Sequence, residues 1–172
     1  FSLVRHVLTT ALGENAYLRP YSEDGSDGGH SKGFLNKPGE KSWGEMVLAP
    51  SRIFYSLIMD LHGRFNQPSR VHIPGVVHIT GGGLTGNLPR ILKTEGLGVH
   101  QDNLFPAHEM MKKLQLMGNV SDEEAYEVWN MGNGMCVIVD EKDVDTVLER
   151  AKALGIPSQV AGTVNTSDKV TI

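Results

Sequence analysis

The chain has 172 residues, of which 40% are apolar and 21% charged, with a formal net charge of −4. A chain of this size can bury a sizeable core, and its negative charge offers no general attraction to nucleic acid. No apolar run is as long as a membrane span, and the first residues lack the order of a signal peptide. We therefore expect a cytoplasmic protein without a nucleic-acid or membrane partner.

The N-terminal quarter of the chain combines one amphipathic segment with one polar segment. Apolar spacing predicts a helix over 2–12, ended by Gly13, and this pattern is already under way at Phe1, which suggests a piece of a longer protein. Residues 21–41 are mostly Gly, Ser, Asp, Glu and Lys, a composition that predicts a mobile polar insert. A ligand clamp at 30–33 within the insert is the less favoured alternative.

The rest of the chain alternates between helical and extended patterns. After Pro50 the spacing predicts a helix to Phe65, with Ile53, Leu57 and Leu61 on one stripe. A buried strand follows at 76–80. Further predicted elements are a strand at 97–101, a helix from Pro106 to Gly118, a helix from Ser121 to Val128, a strand at 135–139, a helix from Asp140 to Gly155, and strands at 158–164 and 170–172. The strands at 135–139 and 158–164 with the helix between them are predicted to form a βαβ unit, with the last strand at its edge.

The most informative pattern is an apolar strand that stops at Thr80 and three glycines, Gly81, Gly82 and Gly83, before a predicted helix. Residues without Cβ allow positive φ and bring backbone N–H groups close to an anion, and the helix start adds a positive end. The run has no Walker lysine, so a bound phosphate would rest on the loop amides, the Thr80 hydroxyl and Arg90. The alternative is a plain turn, which the spacing alone favours.

Other candidate residues have structural alternatives of equal or greater weight. For His78, a core histidine bonded to a carbonyl is favoured over a catalytic role. For Arg90, a surface ion pair and a contact with a bound anion are almost equally favoured. Asn87 is a candidate for orienting the loop or bonding the substrate. Arg52, close to a predicted helix start, implies an anionic partner such as Asp or Glu. Cys136 is predicted to be an inert core residue, and the histidine spacings give no zinc site.

Four segments, 1–5, 48–53, 78–84 with 87–90, and 130–135, resemble in the same order segments of aminoimidazole ribonucleotide (AIR) synthetase, also called phosphoribosylformylglycinamidine cyclo-ligase. The resemblance covers almost the whole chain and only the C-terminal half of that family. It implies an α+β fold with a mixed β-sheet flanked by helices, and a single domain over residues 1–172. The family's N-terminal, ATP-binding half is missing from this sequence.

The resemblance also implies a reaction in purine biosynthesis. In this family ATP phosphorylates the formyl amide oxygen of formylglycinamidine ribonucleotide, and an internal nitrogen then closes the imidazole ring. ATP and Mg²⁺ would be bound mostly by the N-terminal half, while Thr80 to Gly83, with Asn87 and Arg90, would lie near the substrate phosphate. The implied partners are the nucleotide substrate, the chain's own N-terminal domain and, at full length, a second copy. The piece alone is expected to be inactive.

Two alternatives stay open. The chain departs from the family in the insert at 21–41 and at Thr85 and Gly86, where a bulky residue and an acid are commoner. These departures leave room for an ATP-dependent relative of the same fold, such as formylglycinamidine ribonucleotide synthetase, selenophosphate synthetase or thiamine monophosphate kinase. In a noncatalytic binding or assembly domain, the glycines would be only a turn.

Overall fold

The computed structural model describes residues 2–22 and 40–172. The elements in chain order are α1 (Ser2–Leu12), α2 (Trp43–Val47), α3 (Tyr55–His62), β1 (Gly75–His78), α4 (Gly83–Asn87), α5 (Pro89–Leu92), β2 (Gly98–Gln101), α6 (Glu109–Gly118), α7 (Asp122–Val128), β3 (Met135–Ile138), α8 (Val144–Ala153), β4 (Gly162–Asn165) and β5 (Val170–Thr171). Helices and a mixed sheet are both present, which confirms the α+β prediction.

The described residues group into two compact units, drawn from Phe1–Ser51 with Ala107–Ala125, and from Arg52–Pro106 with Tyr126–Ile172. The single domain over 1–172 stays a prediction. Of the predicted insert at 21–41, residues 23–39 lie outside the described residues, as does the alternative clamp at 30–33. At the start of the insert the prediction is wrong, because Tyr21 is buried and its amide donates to the Lys41 carbonyl at 2.8 Å.

The first unit is helical, and α1 packs against α6. Helix α1 has the predicted bounds, because Val7 and Leu8 form its buried face and Gly13 follows with φ of 87°. A Cβ at Gly118, the last residue of α6, would press against the Val7 side chain. The two helices therefore approach closely at this glycine.

Helix α2 was not predicted from the sequence. The Ser42 hydroxyl accepts from the Glu45 amide at 3.2 Å, and the Glu45 carboxylate accepts from the Ser42 amide at 2.7 Å. This reciprocal capping box satisfies two amides that a helix start leaves without partners. The bond from the Ser42 amide, followed by one from the Ser42 hydroxyl to the same carboxylate at 3.0 Å, lowers the pKa of Glu45. The buried Trp43 anchors the helix in the core of the first unit.

The second unit contains five strands in two sheets. Strands β1 and β3 form an antiparallel pair with Val77 opposite Cys136, and the other sheet has the order β4-β2-β5. Strand β2 is antiparallel to β4 and parallel to β5, so this sheet is mixed. The predicted βαβ unit is wrong, because β3 and β4 lie in different sheets. Strand β5 is at an edge as predicted, but its neighbour is β2.

Two apolar clusters form the core of the second unit. The first contains Val77, Ile79, Leu84, Leu88, Leu92 and Val99, and the second contains Leu57, Leu61, Val71, Ala151 and Ile156. In β3, Cys136 and Ile138 pack against the first cluster, whereas Met135 packs against the second. The alternation of β3 side chains therefore divides them between the two clusters.

The boundaries of several predicted elements need correction. Helix α3 begins at Tyr55, and Ile53 is 79% exposed outside it, while Leu57 and Leu61 are buried as predicted. Proline at position 50 is compatible with a first helical turn but does not require one. Strand β1 is not buried on both faces, because Val76 is 39% exposed.

The later helices also start differently. Helix α6 begins three residues after the predicted Pro106, where the His108 ring nitrogen accepts from the Met110 amide at 3.1 Å. Asp140 does not cap with its side chain; a 3₁₀ turn, Glu141–Asp143, precedes α8.

Candidate functional site

The glycine loop connects β1 to α4 and is held at both ends by backbone hydrogen bonds. At the strand end, the Ile79 amide donates to the Gly134 carbonyl at 3.0 Å. At the helix end, the Gly83 amide donates to the Thr80 carbonyl at 3.1 Å. Gly82 has φ of 99° and Gly83 has φ of 54°, both in the region that favours glycine. The sequence prediction of positive φ at this bend is confirmed for these two residues.

Two of the three glycine amides are free to bind a ligand. Within the described residues, the amides of Gly81 and Gly82 donate to no backbone carbonyl, and the Thr80 hydroxyl has no hydrogen-bond partner. Thr80 and Gly81 are exposed to solvent. The Gly83 amide, in contrast, is already used by the turn. The loop thus offers an accessible group of unpaired donors, at Thr80, Gly81 and Gly82.

Gly83 has a packing role that the sequence did not reveal. Gly83 is buried, and a Cβ at this position would overlap the carbonyl oxygen of Tyr126. Only glycine therefore permits this close approach of two backbone segments. Tyr126 lies 43 positions further along the chain, so no local sequence signal indicates the contact.

Asn87 lies beneath the loop and bonds to it. The residue is only 2% exposed, and its side-chain Nδ2 donates to the Gly83 carbonyl at 2.6 Å and to the Gly81 carbonyl at 3.3 Å. A side-chain amide carries two N–H donors, and these two carbonyls use both.

The guanidinium group of Arg90 lies beside the loop. Its terminal nitrogen Nη2 is 3.9 Å from the position that a Cβ of Gly82 would occupy. Arg90 is exposed, and it forms no ion pair with any residue that the structure describes. The alternative of a surface ion pair is therefore not present in the described part of the chain. An unpaired cation beside unpaired amides provides an electropositive surface.

His78 does not have the core environment that its strand position predicted. It is exposed, and its ring meets the edge of Phe54, with centroids 6.4 Å apart and planes at 70°. The prediction failed because β1 buries one face only, and His78 lies on the other face with Val76. His78 is thus accessible at the end of the strand that leads into the loop.

Two other predicted residues have structural partners. Arg52 donates through Nη1 to the Gly155 carbonyl at 3.0 Å, so its partner is a main-chain oxygen near the end of α8 rather than a carboxylate. Burial raises the pKa of the Cys136 thiol, which reduces the fraction of reactive thiolate at neutral pH. Neither residue belongs to the loop site.

Helix α4 gives the loop little dipole assistance. It spans only Gly83–Asn87, and Pro89 begins the next short helix, α5. The positive end of a helix grows with the number of aligned peptides, so five residues add little. Any anion would therefore be held by the local donors and the guanidinium.

The part of the chain that the structure describes contains no group of three or more His, Cys, Asp or Glu side chains arranged to hold a metal ion. Among its helices, none is both long enough and apolar enough to cross a membrane. Among the described residues, the glycine loop is the candidate site, because it presents unpaired main-chain donors to a ligand.

Fold and loop together define an α+β protein with a glycine-rich strand-to-helix turn that presents unpaired main-chain donors. Residues 25–172 match the family model described as AIR synthase related protein, C-terminal domain. The chain belongs to this family, as the order of its four segments had suggested.

Curated relatives carry the name that the sequence resemblance suggested. The chain is 36% identical over 129 residues to phosphoribosylformylglycinamidine cyclo-ligase of Syntrophus aciditrophicus (strain SB), covering 75% of this chain and 35% of the relative. The enzyme of the same name from Methanocaldococcus jannaschii is 36% identical over 124 residues, covering 72% of this chain and 33% of the relative. The chain thus matches about one third of the length of these relatives.

Proposed function

We propose that this chain is the C-terminal part of an ATP-dependent phosphoribosylformylglycinamidine cyclo-ligase of purine biosynthesis. In this proposal the loop Thr80 to Gly82 and Arg90 bind the phosphate of formylglycinamidine ribonucleotide. The observation that carries the proposal is the group of unpaired donors next to an unpaired guanidinium. Family membership and the names of the relatives support the reaction.

The chemistry assigned to this chain is binding and orientation. A phosphate monoester carries close to two negative charges at neutral pH, and two amides, a hydroxyl and an arginine form a complementary donor set. Fixing the phosphate would place the formylglycinamidine group at a constant distance from the loop, which favours ring closure by limiting its motion. His78 is accessible near the loop and is a further candidate for contact with the substrate.

ATP and Mg²⁺ are part of the proposal, but the described residues do not fit a metal site. They gather no set of metal-binding side chains, so we derive no step through the ion. We propose that ATP and Mg²⁺ bind mainly to the part of the enzyme that precedes this region in the relatives. We further propose that the whole enzyme is a cytoplasmic homodimer in which this chain contacts its own N-terminal domain.

Substitution of Gly82 tests the loop. In the full-length enzyme, Gly82→Val should raise the KM for the ribonucleotide by at least about tenfold, because valine disfavours φ of 99° and would turn the amide away. Gly96→Val is the matched control, since Gly96 also has positive φ, of 65°, and a Cβ there meets nothing within 4 Å. If Gly82→Val folds by circular dichroism and keeps the KM of the unmodified enzyme, the loop does not bind the phosphate.

Substitution of Arg90 tests the charge. Arg90→Ala should weaken ribonucleotide binding by about 10- to 100-fold, the range for losing a hydrogen bond to a charged group. Arg64→Ala is the control, because Arg64 is exposed and has no side-chain partner among the described residues. Isothermal titration of the full-length enzyme measures both. Equal affinities for the two variants would argue against an anion contact by Arg90.

A further inference from the structure

We infer that Asn87 is a positioning residue that turns the Gly82 amide toward the anion and does not itself touch the substrate. The inference rests on the proposed function, since it concerns the same loop. It selects one of the two roles that the sequence left open for Asn87, loop orientation or a substrate hydrogen bond.

The Asn87 side-chain amide has no donor left for a ligand. Its two N–H groups are directed to the carbonyls of Gly83 and Gly81, at 2.6 and 3.3 Å. Asn87 is buried, whereas Thr80 and Gly81 in the loop are exposed to solvent. A substrate phosphate would have to displace at least one of these bonds before it could reach the side chain.

The geometry of the peptide bond fixes the direction of the Gly82 amide relative to Asn87. The protein has no cis peptide among its described residues, and in a trans peptide the C=O of one residue and the N–H of the next point in opposite directions. Because the Gly81 carbonyl points toward Asn87, the Gly82 N–H points away from Asn87. That amide is also one of the two glycine amides without a carbonyl partner.

A loop of three glycines needs a restraint from outside the loop to hold one conformation. Glycine populates many backbone conformations with similar energy, so three in a row could equally present carbonyl oxygens to the outside. An outward carbonyl would repel an anion. The bonds from Nδ2 to Gly81 and Gly83 remove that alternative, because rotating the 81–82 peptide would leave a buried amide hydrogen unpaired.

Asn87→Asp is the discriminating variant. Aspartate has nearly the same shape, but its carboxylate would face two carbonyl oxygens and repel them, so the 81–82 peptide should rotate. The probe is sulfate, titrated into the 172-residue chain while the ¹H–¹⁵N shifts of its amides are followed by NMR. We expect the unmodified chain to show a saturable shift at Gly82 and the variant to bind sulfate at least about tenfold more weakly.

A matched control separates positioning from general stability. Asn133 is also buried, at 6% exposure, and its Nδ2 donates to the carbonyls of Phe105 and Met131 at 3.2 and 3.0 Å. Asn133→Asp should lower the melting temperature comparably while leaving the sulfate affinity within about twofold of the unmodified chain. A purely structural role for Asn87 would instead make the two variants alike in sulfate affinity, which overturns the inference.

The outcomes also separate this inference from the proposed function. If Arg90→Ala weakens sulfate binding but Asn87→Asp does not, the anion site stands and the positioning role is wrong. If the unmodified chain gives no shift at Gly82 at any sulfate concentration, both fail. If Asn87→Asp is too unstable to study, Asn87→Ala, which removes the bonds without adding a charge, should show the same weakening.

Discussion

The three consecutive glycines look alike in the sequence but meet different requirements in the structure. Gly81 is exposed and has open space at its Cβ position, Gly82 needs positive φ, and Gly83 needs both positive φ and close contact with Tyr126. The sequence could predict that a bend occurs here, because a glycine run directly after an apolar strand breaks the extended pattern. The distribution of roles among the three depends on tertiary contacts and could not be predicted.

Replacing Gly83 should therefore harm folding more than binding. Gly83→Ala should lower the free energy of unfolding by about 2–5 kcal/mol, since a left-handed conformation costs about 1–2 kcal/mol and overpacking about 1–3 kcal/mol more. Urea denaturation of the chain measures this change. Gly86→Ala is the control within the same helix, because Gly86 has an ordinary φ and a Cβ there would meet nothing within 4 Å. This control variant should stabilise the chain by no more than about 1 kcal/mol. Equal stabilities of the two variants would contradict the close approach to Tyr126.

At the scale of elements, the sequence predicted well those whose signals are local. Helix α1 and strand β2 were found because each carries its own apolar pattern, and Gly13 marks the end of the helix. Helix α2 was missed although Ser42 and Glu45 have the capping-box spacing, because five residues show too little periodicity. The predicted pairing of the strands is wrong because period-two alternation indicates which face of a strand is buried but not which strand lies next to it.

One contact between elements has a measurable pH dependence. Arg150 of α8 donates to Asp60 of α3 through Nε at 2.6 Å and through Nη2 at 3.0 Å, and Arg70 lies 3.5 Å from the same carboxylate. The hydrogen bond from Arg150 is the main cause of a lowered pKa for Asp60. A carboxyl whose pKa is lower in the folded state stabilises the fold above its unfolded pKa and loses that effect as pH falls through its folded pKa.

Asp60→Asn should therefore destabilise the chain at pH 7 and have a smaller effect under acidic conditions. We expect the difference in melting temperature between the variant and the unmodified chain to shrink as pH falls below the ordinary aspartate pKa of about 4 and through the lower pKa that Asp60 has in the folded chain. Thermal unfolding followed by circular dichroism measures it. Asp102→Asn is the control, since Asp102 is exposed and forms no ion pair with the described residues. A difference that stays constant with pH would show that the ion pair does not link α3 to α8.

At the scale of the whole molecule, the order of the motifs along the chain indicated the family better than any single helix or strand did. The segments at 1–5, 78–84 with 87–90, and 130–135 are divided between the two compact units, yet together they indicated the family that the comparisons then established. The chemistry could not be predicted to the same depth. The chain matches about a third of its relatives' length, and the catalytic groups proposed for ATP lie outside that third.

The last prediction concerns the activity of this chain by itself. The 172-residue chain should produce no aminoimidazole ribonucleotide from ATP and formylglycinamidine ribonucleotide, because it matches only about a third of the length of its relatives and we propose that ATP and Mg²⁺ bind mainly to the rest. It should nevertheless bind sulfate at the loop. Release of inorganic phosphate measures turnover, and NMR titration measures binding on the same preparation. Addition of a separately expressed protein that covers the remaining two thirds of the Syntrophus aciditrophicus relative should restore turnover if the two parts assemble. Turnover by the chain alone would contradict the proposed division of labour, because the nucleotide site would then have to lie within these 172 residues.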